Sequence, residues 1–544
     1  MPVTIFQLLP AKPHSRLMKS SIICLVCIIT FLLLVSCKQK ESSAPESTAS
    51  DRSISSSYKA PLFEEDNRIE KIKEIAPELH GLIVKNAEEK HLPGVAYGVV
   101  VDNELIVSSA TGVIDLDSES PATTQSAFRI ASMTKSFTAM AILKLRDEGK
   151  LSLEDPVSQY IPEMDNLEYL TADSPIIDIE NLLTMTAGFP EDNPWGDRQL
   201  DESDQMLMDL VAGGMSFSNP PSYKFEYSNT GYALLGNIIA RVSGMPYQKY
   251  IKDNILKPLG MEHTYLEYDS VPKEILVKGY RWEDENWKSE PMLHDGSYGA
   301  MGGLITSIED FGKYVSFQLS AWPPRSEPDI GPVKRSSLRE MQTPQFSNLY
   351  AKARDFKGDT CAVISGYGFG LGIAQYCDGL KRVSHGGALP GFGSNYVYFP
   401  EYGIGLMAFC NLTYTSPWPF NDMAKLIFEN DNLEPRKLPA SDILKTRQGQ
   451  IVELIQSWDP ALEANILAEN FYLDLTRESY VKEMQELMEK AGPIGSVGEI
   501  DAYNQLRGTF KIQTEKGAVE VFFTLSPEKD PLIQMLDLEL EQKD

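Results

Sequence analysis

Cysteine is scarce in this chain of 544 residues, with only six, and the three beyond residue 37 are not spaced as metal ligands usually are. Basic side chains are outnumbered, 50 against 77 acidic, for a formal charge of −27 that becomes −30 after residue 36. Such a field repels polyanions, so neither nucleic acid nor an anionic lipid surface is an expected partner. The apolar segment from Ile22 to Leu34 is too short for a comfortable membrane span. No internal repeat, nucleotide-binding loop or metal-ligand cluster appears, so no cofactor is expected. What is present has the composition of a globular protein, 42% hydrophobic and 10% aromatic, and enough length for two domains, one of them large.

The N-terminus reads as targeting rather than fold. Met18-Lys19 precedes the apolar segment and offers an alternative start, because residues 1–17 carry no targeting logic. Leu34-Val35-Ser36-Cys37 closes the segment and resembles the lipobox of bacterial lipoproteins, where small residues admit the peptidase and the cysteine thiol takes the lipid. The competing reading is an uncleaved anchor helix with an incidental cysteine. Residues 1–37 are thus expected to be a lipoprotein signal ending in a lipidated Cys37. Residues 38–65, rich in Ser and charge at their start, are expected to be a disordered tether. The expected setting is a bacterial cell envelope, with the working part in water and the membrane reached through the lipid anchor. Removing Cys24, Cys27 and Cys37 leaves three cysteines. Cys361 and Cys377 could bridge in an oxidising compartment, and Cys410, in an apolar strand, reads as a core thiol.

Residues 66–430 read as one large mixed α+β domain. An amphipathic helix, Asn67 to His91, precedes a hairpin of Val95 to Val101 and Glu104 to Ala110 around Asp102-Asn103. Helices and long Pro/Gly-rich loops fill the stretch from Ser152 to about Ser320. Strand character returns at Gly368 to Ala374, Lys381 to His385, Ser394 to Phe399 and Gly403 to Cys410, before a helix from Pro419 to Glu429. Strands at both ends with helices between them predict an antiparallel sheet built from the two termini, flanked by helices, with an inserted helical lobe and a cleft between the two. Residues 430–440 form a polar joint. Residues 441–544 read as a separate α+β module, with helices at Ile443 to Ser457, Ala464 to Phe471 and Arg477 to Lys490. Its strands are expected at Glu499 to Leu506, Thr509 to Glu515, Val519 to Leu525 and Leu532 to Leu540. The module is similar in outline to cone-shaped NTF2-like folds and carries no catalytic constellation.

Chemistry concentrates first at Ser132-Met133-Thr134-Lys135, opening an apolar helical run from Ser136 to Leu145 that Gly149 ends. Helical residues three apart share a face, so Lys135 is expected beside Ser132, where a desolvated amine can take the hydroxyl proton. The spacing alone recurs at Ser56/Lys59, Ser270/Lys273, Ser479/Lys482 and Ser526/Lys529. Two of these carry an internal Pro, one lies in a polar stretch and one is crowded by acidic residues, so only Ser132 opens a helix apolar enough for a core. The bland alternative is Ser132 as an N-cap with Lys135 in solvent. Tyr227-Ser228-Asn229 is the only Tyr-x-Asn among 24 tyrosines and precedes a helix, Tyr232 to Val242. His385-Gly386-Gly387-Ala388 reads as the end of a strand before a Gly-rich turn.

These three elements, in this order, resemble the signatures of the serine β-lactamase and penicillin-binding-protein superfamily, in particular its class C β-lactamase, D-aminopeptidase and esterase branch. The resemblance covers about Asn67 to Glu429, with support from Leu182 to Phe189, Asn193 to Asp197 and Gly299 to Thr306. It implies a β-lactamase/transpeptidase-like fold and a serine hydrolase acting through an acyl-enzyme. By this resemblance Ser132 is the nucleophile, Lys135 activates it, and Tyr227 is a second proton carrier whose phenolate the Lys135 ammonium would favour. Asn229 orients Lys135 and meets a substrate carbonyl, and the backbone N–H groups of Ser132 and Ala388 form the oxyanion hole. His385, Gly386 and Gly387 stand where the family has Lys-Thr-Gly. The cation that would meet a substrate carboxylate therefore depends on His385 being protonated, and a neutral His packing over the site is the other reading. No Glu-x-x-Leu-Asn segment occurs, so deacylation would rest on Tyr227 and Lys135. Substrates are expected to be D-amino-acid peptides, small esters or amides, with β-lactams incidental. A non-catalytic penicillin-binding-like pseudoenzyme or scaffold is the alternative.

Overall fold

The computed structural model describes residues 53–355, 359–428 and 433–542. Met1–Tyr58 and Lys59–Asp544 are separate units. Of the first, residues 53–58 are described, and there Ser57 N donates to Ser55 Oγ at 3.3 Å. The expected signal, Cys37 and most of the tether lie outside the described residues.

The second unit begins with α1 (Arg68–Glu89), whose apolar positions Ile72, Leu79 and Ile83 are fully buried. The hairpin β1 (Gly94–Val101) and β2 (Glu104–Asp115) follows, with a short β3 (Ser120–Pro121). The later strands are β4 (Phe346–Arg354), β5 (Thr360–Tyr367), β6 (Gly372–Tyr376), β7 (Lys381–Leu389), β8 (Phe392–Phe399) and β9 (Ile404–Cys410). They form one antiparallel sheet in the order β3-β2-β1-β9-β8-β7-β6-β5-β4. The termini meet at its centre, where Val95 to Val101 pair with Cys410 back to Ile404. Every residue of β1 is buried, and alternate ones serve opposite faces. Ala96 and Val100 join the core of the helical lobe, beside Ile308 and Phe311 of the helix Ile308–Leu319. Val95, Tyr97, Val99 and Val101 join the core under α1.

Three sequence expectations need correction. The pair β4/β5 was not anticipated, because β4 is almost wholly exposed and the half-buried β5, Thr-Cys-Ala-Val-Ile-Ser-Gly-Tyr, does not alternate apolar with polar residues. Strand β7 does not end at His385 but runs through Gly386-Gly387-Ala388 to Leu389, since pairing with Asn395, Ser394 and Gly393 of β8 overrides the turn preference of two glycines. The tether also stops short of residue 65. Leu62 exchanges backbone hydrogen bonds with Lys437 at 3.0 and 2.8 Å, and the Phe63 ring lies under Arg68 and Arg436 at 3.5 and 4.6 Å. Both guanidinium groups also bond Asp102.

Residues 442–542 build their own core. Helices Asp442–Ser457, Pro460–Ile466 and Arg477–Ala491 accompany antiparallel strands Ile494–Val497, Asp501–Asn504, Arg507–Thr514, Gly517–Leu525 and Ile533–Gln542. The first of these strands was not anticipated. Alternation along Gly517–Leu525 buries Val519, Val521, Phe523 and Leu525 against Leu444, Ile451 and Leu454. Cys361 and Cys377 form a disulfide, with Cα atoms 5.6 Å apart, and Cys410 is a buried free thiol.

Candidate active site

Ser132 sits on a single 3₁₀ turn, Ala131–Thr134, that feeds directly into α2 (Lys135–Asp147). Ala131 has φ +51°, a left-handed conformation that costs an alanine energy and persists only where the surroundings enforce it. They do so from two sides. Ile130 N donates to Leu304 O at 3.0 Å, and Ser394 Oγ on β8 donates to Ile130 O at 2.7 Å. Gly387 on β7 allows this approach, because a Cβ there would lie 2.1 Å from Ile130 O and 2.3 Å from Ser394 Oγ.

Lys135 is fully buried, and its Nζ lies within hydrogen-bond reach of three oxygens: Ser132 Oγ at 3.1 Å, Asn229 Oδ1 at 2.7 Å and Met301 O at 3.0 Å. Burial pushes its pKa down to about 7, against the pull of Asp197 and Asp192. In the neutral form two N–H bonds suffice for Asn229 and Met301, and the lone pair is left for the Ser132 hydroxyl proton.

Asn229 opens the helix α3 (Asn229–Ser243), so its side chain is set by a helix start. Asp192 accepts from Asn229 N at 2.7 Å and from Thr230 N and Oγ1, both at 2.8 Å, which satisfies two free backbone donors of that first turn, while Ser228 Oγ accepts from Gly231 N at 3.1 Å. Asn229 Nδ2 donates to Asn193 Oδ1 at 2.7 Å and reaches Asp197 Oδ1 at 3.5 Å. Gly196 lets this loop close on the helix, since a Cβ there would lie 2.8 Å from that of Asn229.

Tyr227 precedes α3, and the Lys135 Nζ stands 4.9 Å from the centroid of its ring. The phenol is not driven toward phenolate. Burial raises its pKa, the Ser132 hydroxyl offsets part of this, and Asp197, Asp192 and Glu191 raise it further. The expectation of a Lys-favoured phenolate is therefore replaced by a neutral phenol close to Ser132.

His385 is half-buried on β7. Its Nδ1 lies 2.6 Å from Gly386 O and its Nε2 3.1 Å from the Tyr367 hydroxyl. A proton on Nδ1 serves the carbonyl and leaves Nε2 to accept from Tyr367, so both ring nitrogens are satisfied without charge. Burial, and then the nearby Lys135, lower its pKa to about 4. Of the two readings, the geometry favours the neutral one.

The groups meet around a cavity of about 650 Å³. Ser132, Tyr227 and the loop residues Asn193, Pro194 and Asp197 form one wall, His385 to Ala388 with Asn395 form the sheet side, and Tyr414 to Ser416 close the end. Strand β6 pairs with β7 only as far as Ser384, so residues 385–389 extend past their β6 partner along this cavity. Sequence reasoning missed Asp197 and Tyr414 as lining groups. Asp197 stood within a stretch marked by resemblance, whereas no local pattern marks Tyr414. Glu267, Asp269 and His294 also come within ligand distance of one another, through the fold rather than through sequence spacing, but none of them lines the cavity.

Comparison with known proteins agrees with this architecture. A profile of the Beta-lactamase family matches residues 79–429. The protein flp of Staphylococcus aureus (strain MW2) is 28% identical over 337 residues, 61% of this chain and 62% of that protein. Beta-lactamase-like protein 2 of Dictyostelium discoideum is 30% identical over 362 residues, 64% of this chain and 62% of that one. The chain thus spans somewhat less than two thirds of the length of these relatives. The octameric penicillin-binding protein homologue from Pyrococcus abyssi shares the fold, with a TM-score of 0.52 at 22% identity, covering 86% of this chain and 98% of that one. The family profile takes in Ser132, Lys135, Tyr227, Asn229 and the His385 strand, and by that match the chain belongs to the Beta-lactamase family, whose members are generally serine hydrolases.

Proposed function

We propose that this protein is a serine hydrolase that forms an acyl-enzyme at Ser132 on small esters, amides or peptides. The observation that carries the reading is the Lys135 amine, 3.1 Å from Ser132 Oγ and pinned by two further oxygens. Neutral Lys135 takes the Ser132 proton as Oγ attacks the carbonyl, and the ammonium so formed donates to all three neighbouring oxygens. The oxyanion meets the backbone N–H groups of Ser132 and Ala388. Tyr227, a neutral phenol beside Ser132, gives a proton to the leaving group and recovers it from Lys135. The same pair then deprotonates the water that releases the acyl group. Asn229 holds Lys135 and offers its amide to the substrate, which lies along Gly386 and Gly387. With His385 neutral, no cation replaces the Lys of Lys-Thr-Gly, so β-lactams, which bear a carboxylate, are poor substrates. Cys37 lipidation in the cell envelope completes the reading, with the hydrolase domain held in water.

The test is labelling with a fluorophosphonate, read by intact mass, together with hydrolysis of p-nitrophenyl acetate. Wild type should add one phosphonyl group and turn over the ester, and Ser132→Ala should do neither. Wild type that stays unlabelled and inactive would sink the reading.

A further inference from the structure

The charges around the cavity are lopsided. Among the described residues that line it there is no Lys or Arg, and Asp197 is the only carboxylate. Lys135 lies behind the cavity wall, fully buried, with its hydrogen bonds directed to Ser132, Asn229 and Met301 rather than to Asp197. His385 is occupied on both nitrogens by neutral partners.

Asp197 is held firmly. It is 3% exposed and sits on the loop that Gly196 lets close against Asn229. Its hydrogen-bond partners, the Asn229 amide at 3.5 Å and the Tyr414 phenol, are both neutral. Burial raises its pKa to about 6, against the pull of Lys135 and Arg198, and Asp192 opposes its ionised form. Burying a carboxylate whose hydrogen-bond partners are neutral is costly, and a cation entering the cavity relieves that cost. Tyr414, 42% exposed, lines the same cavity and meets Asp197 through its phenol, so an aromatic side chain and a carboxylate stand together there. That combination suits a substituted ammonium group.

We propose that Asp197, with Tyr414, forms a subsite for a positively charged amino group, selecting acyl substrates whose amine lies close to the carbonyl that Ser132 attacks. These are aminoacyl esters and amides, and peptides cleaved next to a free amino terminus. The proposal rests on the acyl-enzyme reading above and adds the charge of the substrate. It also accounts for the exchange of Lys-Thr-Gly for His385-Gly386-Gly387: a site that receives a cation has no use for a fixed one.

The experiment compares D- and L-alanine p-nitrophenyl esters with the propionate ester, which keeps the skeleton and lacks the amine, and with the succinate monoester, which adds a carboxylate. Each kcat/KM is corrected for the uncatalysed rate. A charge-assisted hydrogen bond in a buried site corresponds to a preference of roughly ten- to a hundredfold for at least one alanine ester over propionate. Asp197→Asn should collapse that ratio, whatever it does to the absolute rates. An independent reading uses wild type alone: alaninamide should slow fluorophosphonate labelling of Ser132 at neutral pH where propionamide does not. Equal rates for alanine and propionate, equal protection by the two amides, or a preference that survives Asp197→Asn would each overturn the subsite. Absence of any labelling would overturn the acyl-enzyme reading and this proposal with it, whereas labelling without amine preference overturns this proposal alone.

Discussion

Replacing Lys135 by Met separates what the site needs for chemistry from what the fold needs for stability. The side chain is fully buried, and burial takes its pKa from 10.5 to about 7. At ~1.4 kcal/mol per unit, keeping that amine inside costs the native state about 4 kcal/mol at neutral pH. Methionine of similar length removes this cost but leaves Asn229 Oδ1 and the Met301 carbonyl without their donor, at about 1–3 kcal/mol each. The two effects nearly cancel, so Lys135→Met should unfold within about 2 kcal/mol of wild type near pH 7. Acylation should meanwhile fall by a factor on the order of 10²–10⁴. The pH dependence is sharper. Between about pH 7 and 10.5 the unfolded chain keeps a proton that the native state has shed, so this residue lets wild type gain stability as pH rises. The variant has no such gain. Urea unfolding of both proteins at about pH 6.5 and 9.5 should therefore show the stability of the variant relative to wild type falling by about 3 kcal/mol over that interval. A difference that does not change with pH would refute the reasoning, because it would mean that Lys135 is charged in the native state throughout.

Gly387→Ala should cost about 1–3 kcal/mol and lower acylation more than stability, since the new Cβ would press on Ile130 O and Ser394 Oγ and shift the turn that carries Ser132; thermal melts and fluorophosphonate labelling measure the two effects, and normal labelling would count against the close fit. The His385 ring should titrate near pH 4 by NMR, below the usual histidine range, with its charge absent at neutral pH; a ring that titrates between about pH 6 and 7 would restore the charged reading. Cys361→Ser should destabilise by about 3 kcal/mol, as expected for opening a loop with a sequence separation of 16, and the oxidised native protein should show no reactive thiol at Cys361 or Cys377; two reactive thiols there would refute the bridge.

The elements of the candidate site were legible because their spacing is local. Ser132 and Lys135 share a helix start, and Tyr227 and Asn229 flank a cap, so residue pattern and geometry carry the same information. The outer strands were not legible. Phe346–Arg354 is mostly exposed and gives no alternating apolar signal. The state of His385 was hidden for a related reason, since its neutral partners, Tyr367 and the Gly386 carbonyl, are fixed by strand pairing rather than by neighbouring sequence. Asp197 was present in a marked stretch, but that it faces the cavity follows from Gly196 packing on Asn229, a contact 33 residues away along the chain. Tyr414 belongs to a loop that meets Asp197 only once the sheet has closed.

That closure sets a condition on how the protein is made. β1 has all eight residues buried, yet one of its edges is covered by β2 and the other waits for Ile404–Cys410, about 300 residues later. At about 5–20 residues per second, the ribosome takes roughly 15–60 s to supply that partner. Through this interval the nascent chain carries an unpaired apolar strand edge, the kind of surface on which chains join one another. Since the turn bearing Ser132 is held by β7 and β8, which are also made late, the proposed nucleophile is set in place only near the end of synthesis of the large domain. A chain cut before residue 404 would have its Ser-x-x-Lys segment intact in sequence, but would lack the strand that joins the two halves of the sheet on which it is mounted.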